Sequence, residues 1–446
     1  MKISMCVINK SCLILLFLSL YLPIHAQWKQ KEFIIGTFYD PKLPDKNIND
    51  TTAYFDKLKT AKECYFNFLS GLDSYYDYNF ISTKLSHLSK LGMKTLVLNE
   101  STVSGIYDTE KGNKLIDFTR NFDSTQRNSF YGYFLFDEPV PSKFDNLQKW
   151  IVFLKKRDPN KLVYVNFLPS YLFKDSADYN NYVAPLLNKK DFLHTLDVAS
   201  YDFYPFTVTG FRKDYFFNLS FIKKKAGERP FWCYALTTKH NNYSEPDDYK
   251  LNFMAFAPEI YGAKGILYFT YETIVRSKIP FGPAIIDSNN NPTSKYYHIQ
   301  KINRFLKDVI GPIIMTSENL GVYHTSNQLY NEELEKENQI TNKTLLISNI
   351  QNPFMAAGVF KSNQNKNEYN LLLMNKSPNA QKGVTVVLKG NFTNNMSLSV
   401  PFTQYSSPKK TFENIPATYN QTTNKTTCKI DFEPGEERVL KVIAAP

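Results

Sequence analysis

Several apolar runs of this chain carry carboxylates at or near their ends, and a carboxylate at such a position is equipped for proton transfer. The run Tyr131–Pro139 (YGYFLFDEP) closes on Asp137-Glu138-Pro139, and Lys94–Glu100 closes on Asn99-Glu100. Leu196–Phe206 contains Tyr201-Asp202-Phe203-Tyr204-Pro205, and Lys264–Glu272 closes on Tyr271-Glu272. Two carboxyl groups can cleave an acetal such as a glycosidic bond. One, protonated, donates to the leaving oxygen; the other, ionised, attacks the anomeric carbon or activates water. Aromatic rings beside them stack on the apolar faces of sugars, and Tyr201, Tyr204, Phe206, Tyr234 and Tyr271 are placed to form that wall. Glu138 is read as the acid/base. Asp202 or Glu272 is read as the second catalytic carboxylate, ahead of Glu100 and Glu245. Asp137, Glu100 and the tyrosines Tyr201, Tyr204, Tyr234 and Tyr271 are read as substrate-binding.

These residues need elements that deliver them to one rim. From Phe33 to Glu272 short apolar runs alternate with longer amphipathic stretches. The other four runs are Phe33–Asp40, Cys64–Gly71, Leu162–Pro169 and Pro230–Thr238, which makes eight. Near-continuous apolar runs are what strands buried on both faces require. Helical spacing of apolar residues marks Thr52–Thr60, Phe80–Leu91, Phe144–Arg157 and Asp247–Tyr261, and Ser294–Asp308 is expected as a closing helix. Eight strands alternating with helices predict an α/β fold, a (β/α)₈ TIM barrel spanning 27–312. Catalytic groups in that architecture sit at the C-terminal ends of the strands, which is why the run ends carry the reading.

After Gly311-Pro312 the composition turns to Asn, Thr, Ser and Lys. Alternating runs at Glu368–Asn375, Gly383–Gly390, Met396–Phe402 and Arg438–Ile443 predict short antiparallel strands, so 313–446 is expected as a C-terminal all-β sandwich domain. The polar stretch Tyr330–Thr341 is expected as a mobile loop.

The segment Gly132-Tyr133-Phe134-Leu135-Phe136-Asp137-Glu138-Pro139, with Ala257–Glu272 and Gly282–Pro312, resembles the glycoside hydrolases of the large (β/α)₈ clan that holds the family 5 and family 42 enzymes. The similarity runs from about Phe33 to Pro312. In that clan the fourth strand ends in Asn-Glu-Pro or a close variant, and the resemblance implies a general acid/base role for Glu138, with Asp137 in the Asn place. Clan members also carry a nucleophilic Glu at the end of the seventh strand. Here that strand reads Phe231-Trp232-Cys233-Tyr234-Ala235-Leu236-Thr237-Thr238, without a carboxylate, and the next one is Glu245. Either another carboxylate replaces the nucleophile, or the reaction inverts, or the protein binds sugar without cutting it.

Composition narrows the remaining classes. Lys2 and Lys10, the apolar stretch Leu13–Leu22 and the sequence Pro23-Ile24-His25-Ala26 read as a signal peptide over 1–26, cut before Gln27. The mature chain is therefore expected to be exported, to the periplasm or beyond the cell, with no transmembrane segment left after signal removal. The net charge is +11, but the basic residues are scattered and form no nucleic-acid-binding stripe. Past the leader, Cys64, Cys233 and Cys428 are far apart, and the His residues show no ligand spacing, so no metal and no cofactor is called for. Two functions remain in play: an exported glycoside hydrolase with a carbohydrate substrate, and a non-catalytic carbohydrate-binding protein on a degenerate barrel. A third, a structural or adhesion role for the β domain, leaves the carboxylate-rich rim without a purpose.

Overall fold

The computed structural model describes residues 27–42, 51–72, 78–98, 104, 106–188, 192–275, 277–341 and 343–444. The expected leader and Glu100 lie outside them. Eight parallel strands close a barrel: β1 (Ile34–Tyr39), β2 (Phe68–Leu72), β3 (Lys94–Val97), β4 (Phe130–Asp137), β5 (Leu162–Phe167), β6 (Ala199–Tyr201), β7 (Phe231–Leu236) and β8 (Gly265–Phe269). Each strand pairs with its neighbours in chain order, and β8 returns to β1 with Ile34 opposite Gly265. β5 and β7 are buried at every position, because the barrel interior covers one face and the helices cover the other.

The helices are amphipathic in the expected sense. In α5 (Phe144–Arg157), Leu147, Trp150, Ile151 and Leu154 are buried, the i, i+3, i+4, i+7 spacing of one face. Its last turn carries Lys155, Lys156 and Arg157, which favours the negative end of the helix dipole. The preceding helices are α1 (Thr51–Glu63), α2 (Tyr78–Lys90), α3 (Thr109–Arg120) and α4 (Ser124–Ser129). After α5 come α6 (Ser176–Leu187), α7 (Tyr215–Ala226), α8 (Asp248–Ile260) and α9 (Ser294–Phe305), the last extended by a π turn and α10 (Gly311–Met315). Gly132 in β4 is where a side chain has no room: a Cβ there would lie 2.1 Å from the Leu162 carbonyl oxygen. At the barrel's opposite end Trp28 is buried, and its amide donates to the Pro159 carbonyl at 2.9 Å.

The second domain is a sandwich of a six-stranded and a four-stranded antiparallel sheet. Its strands begin at Ser317–His324 and end at Glu437–Ile443. Period-2 alternation divides the six-stranded sheet between two cores. In Glu368–Asn375, Leu372 and Met374 join the barrel's core, while Leu371 and Leu373 face the four-stranded sheet. Phe402 packs edge-on against Phe256 of α8 at 5.4 Å. The sheet is thus a shared wall, and it braces α8 from outside.

The stretch Tyr330–Thr341 differs from its expectation as a loose loop. Tyr330 stacks on Phe211 at 4.2 Å, and Glu332 forms a fully buried ion pair with Lys376 at 2.8 Å. Lys213 and Lys224 hold Glu333 and Glu335. Its polar residues are spent on partners in both the barrel and the sandwich, and sequence polarity alone does not distinguish that from solvation.

Candidate active site

A cavity of about 280 Å³ opens at the C-terminal ends of the strands. Its floor is made by Asp137, Glu138, Asn166 and Asp202, which come from the ends of β4, β5 and β6. A regular strand sends successive side chains to opposite faces. Two departures let the consecutive residues Asp137 and Glu138 share one cleft. β4 slips its register against β5 between Phe134 and Phe136, and Glu138 has a left-handed backbone with φ +50°. That conformation costs a non-glycine residue about 1 kcal/mol or more. The Glu138 amide donates to the Asn166 carbonyl at 2.8 Å, which holds the turn.

The Asn166 side chain organises the group. Its amide nitrogen donates to Asp137 Oδ1 at 3.1 Å and to Asp202 Oδ1 at 3.0 Å. Its carbonyl oxygen accepts from Ser200 Oγ at 3.1 Å, which fixes the amide orientation. Ser200 bonds to the Tyr164 hydroxyl at 2.7 Å, and Tyr164 bonds to the Tyr234 hydroxyl at 2.8 Å. Glu138 and Asp202 are hydrogen-bonded directly to each other, carboxyl to carboxyl. The shared proton lies on Asp202, because the bond raises Asp202 and lowers Glu138.

Burial and mutual repulsion act in one direction on all three acids. Burial pushes the Asp137 carboxyl up to about 7, the Glu138 charge adds to this, and the Asn166 amide pulls it back. Burial raises Glu138, with the hydrogen bond from Asp202 opposing. Asp202 is raised well above the usual carboxylate range by burial, then by the charges of Glu138 and Asp137. The group therefore retains a proton at neutral pH where isolated carboxylates are fully ionised.

Tyr204 and Tyr234 line the cavity, joined by Phe38, Tyr171, Tyr243 and Phe269. Tyr204 meets Tyr243 edge-on at 5.4 Å. The Tyr171 and Tyr243 hydroxyls bond at 2.8 Å, and the Arg212 guanidinium lies 3.7 Å from the Tyr171 ring centre. His240 also reaches the cavity, stacked on Phe281 at 4.8 Å and lowered in basicity by burial.

Several sequence candidates are placed elsewhere, Phe206 among them: it packs edge-on against Phe211 at 5.3 Å and Phe253 at 5.2 Å and does not line the cavity. Glu272 is buried, but its carboxylate is held by Lys57 Nζ and the Lys42 amide, both at 3.3 Å, and it does not line the cavity. Tyr201 is buried in the barrel wall opposite Cys233 of the neighbouring strand. Tyr271 is buried edge-on against Phe66 at 5.6 Å. Tyr201 and Asp202 are neighbours that face opposite ways, so only Asp202 enters the cleft, whereas neither Tyr271 nor Glu272 lines it. Glu245, the first carboxylate after β7, is paired with Lys295, whose ammonium also donates to the Thr237 carbonyl at 2.7 Å. Among the described residues, no group of three or more His, Cys, Asp or Glu side chains is arranged to hold a metal ion.

Asn166 escaped the sequence reading although it had a signal: it is an amide inside the otherwise apolar fifth run, Leu162–Pro169. Tyr171, in a short 3-10 turn, and Tyr243 and His240, on a loop, had none, since 35 Phe and 30 Tyr make any single aromatic uninformative.

No protein-family model matches the chain, and no curated protein matches it. Solved structures do. A family 42 beta-galactosidase from G. stearothermophilus superposes with a TM-score of 0.57 at 8% identity, over 94% of this chain and 99% of that one. A family 39 glycoside hydrolase from the gut symbiont Bacteroides cellulosilyticus WH2 gives 0.50 at 12% identity, over 92% and 80%. A cycloisomaltooligosaccharide glucanotransferase from Paenibacillus sp. gives 0.50 at 8%, over 91% and 84%. At such identities the likeness is one of architecture. The chain has a glycoside hydrolase-like (β/α)₈ barrel followed by a β-sandwich domain.

Proposed function

We propose that the protein is a glycoside hydrolase with Glu138 as the proton donor to the departing glycosidic oxygen. The observation that carries this is the direct Glu138–Asp202 hydrogen bond at the floor of an aromatic-walled cavity. A donor must be protonated at working pH: burial raises Glu138 toward that form, and the proton that Asp202 shares with it is at hand to supply it. Asp202, raised well above the usual carboxylate range, holds the shared proton and passes it to Glu138. Asn166 is a positioning residue that holds Asp137 and Asp202 in register. The cavity is near the small end of the range for ligand sites, about 300–1,000 Å³, which suits one sugar unit at a time. Export of the chain, with residues 1–26 removed, is part of the same proposal and rests on the sequence.

The experiment is hydrolysis of a panel of aryl glycosides and oligosaccharides by the purified protein and by Glu138→Gln. The proposal expects turnover by the first and a loss of about 10²–10⁴-fold in the second. Equal turnover by both would remove Glu138 from the chemistry.

A second reading, carbohydrate binding without cleavage, is favoured by one observation: β7 delivers no carboxylate to the rim. It expects saturable sugar binding that Glu138→Gln leaves intact, and no product at any pH.

A further inference from the structure

Among the described residues the cleft contains an acid but no separate nucleophile. Its three carboxyl groups, Asp137, Glu138 and Asp202, all belong to one hydrogen-bonded cluster. A retaining enzyme that attacks with its own carboxylate needs about 5–5.5 Å between the two carboxyl groups, and an inverting one needs about 6.5–9.5 Å to seat a water. Glu138 and Asp202 touch, so neither an anomeric carbon nor a water fits between them. The other rim candidates among the described residues, Glu272 and Glu245, are held by Lys57 and Lys295 outside the cavity.

We infer that the nucleophile is supplied by the substrate: the site takes 2-acetamido sugars, and the acetamido carbonyl attacks the anomeric carbon. This rests on the hydrolase reading above and names its substrate class.

Asp137 supplies what such a reaction needs beyond an acid. It adjoins Glu138 in the chain and faces the same cavity, and only its Oδ1 is taken by Asn166. Its other oxygen is available to accept the acetamide N–H, which turns the carbonyl oxygen toward C1 and stabilises positive charge on the amide. Phe38, Tyr204 and Phe269 offer the acetamide methyl an apolar wall.

The step balances. Glu138 gives its proton to the glycosidic oxygen, and the C1–O bond breaks with its electron pair going to the departing alcohol. The carbonyl oxygen gives a lone pair to C1 and closes an oxazolinium ring, while the N–H proton is shared with the Asp137 carboxylate. Water then adds at C1 and loses a proton to Glu138. The C1–O bond to the acetamide breaks, and its pair returns to the amide. Two displacements at C1 give net retention.

The test compares 4-nitrophenyl 2-acetamido-2-deoxy-glycosides with the matching 2-hydroxy glycosides and with trifluoroacetamido analogues. It adds calorimetric binding of the 1,2-fused thiazoline of the sugar. Expected are cleavage of the acetamido series, a fall in kcat of about a hundredfold or more on fluorination, a product of retained configuration, and thiazoline binding tighter than the free sugar and weakened in Asp137→Asn. Cleavage of 2-hydroxy glycosides at comparable rates, indifference to fluorination, or an inverted product would overturn this inference and leave the hydrolase reading standing. Cleavage of nothing, with the thiazoline still preferred over the free sugar, would uphold recognition of the acetamide and defeat the hydrolase reading. Cleavage of nothing and no thiazoline preference would overturn both.

Discussion

The β4–β6 side of the barrel rim and the β8–β1 side each carry a glutamate, half-buried Glu138 on the first and buried Glu272 on the second, and they treat them oppositely. On the first side Glu138 faces Asp137 and Asp202, and the groups acting on all three are other acids and the neutral Asn166. On the second, Glu272 faces Lys57 Nζ at 3.3 Å and the Lys42 amide. Burial raises both glutamates, but Lys57 pulls Glu272 back down. A strand-end carboxylate is thus set for chemistry by what surrounds it: acids and a cavity keep a proton available, whereas a lysine consumes the charge. A third region separates these two conditions. Glu259 of α8 and Glu437 are buried at the barrel–sandwich contact, with neither carboxylate hydrogen-bonded in the structure. Burial raises both well above the usual range, and no described cavity reaches them. Protonated acids without space for a substrate do no chemistry.

The largest effect that would break this comparison is on catalysis. Glu138→Gln should lower kcat by about 10²–10⁴-fold, and Glu272→Gln should leave it within about twofold. Next is the scaffold of the cleft. Asn166→Ala removes two charge-assisted hydrogen bonds and should cost about tenfold to a hundredfold in rate. The Asn166 amide lowers both Asp137 and Asp202, so the variant's pH–rate profile should move to higher pH. A profile displaced downward would show that Asn166 does not act through these acids.

On the other side of the rim the effect is on stability. Glu272→Gln should lose about 1–2 kcal/mol in urea unfolding, since it leaves the partly buried Lys57 without its partner. The smallest effect is at the domain contact. Glu259 and Glu437 have raised folded values, so the folded state binds more protons and stability falls as pH rises above the ordinary carboxylate range. Glu437→Gln removes one such group. It should stabilise the protein on the order of 1 kcal/mol at pH 8, with the gain shrinking toward pH 4, as read from melting curves.

The barrel was legible because its strands are apolar throughout, and helix Phe144–Arg157 and strand Glu368–Asn375 have the ends the sequence indicates. Boundaries failed where packing overrides composition. Cys64 to Asn67 reads as strand, but Cys64 to Phe66 close the turn after α1 by bonding back to Thr60, Ala61 and Lys62, and only Asn67 bonds to the flanking strands, at Ile35 and Lys94. The run at Leu196–Phe206 shrinks to three strand residues, after which Asp202 leaves the sheet for the cleft. Exposed strands such as Ala417–Asn420 lack the apolar signal, since half of their residues face water. At the site, Glu138, Asp137 and Asp202 were readable from strand ends. Glu272 was readable by the same rule, and only Lys57, 215 residues away in sequence, separates it from them.

The most direct measurement is initial-rate hydrolysis of one cleaved aryl glycoside by the wild type, Glu138→Gln and Glu272→Gln, each first shown to be folded by circular dichroism. The account predicts that Glu138→Gln loses at least about a hundredfold while Glu272→Gln keeps wild-type turnover. Loss in Glu272→Gln with activity retained in Glu138→Gln would contradict it, and would move the chemistry to the other side of the rim.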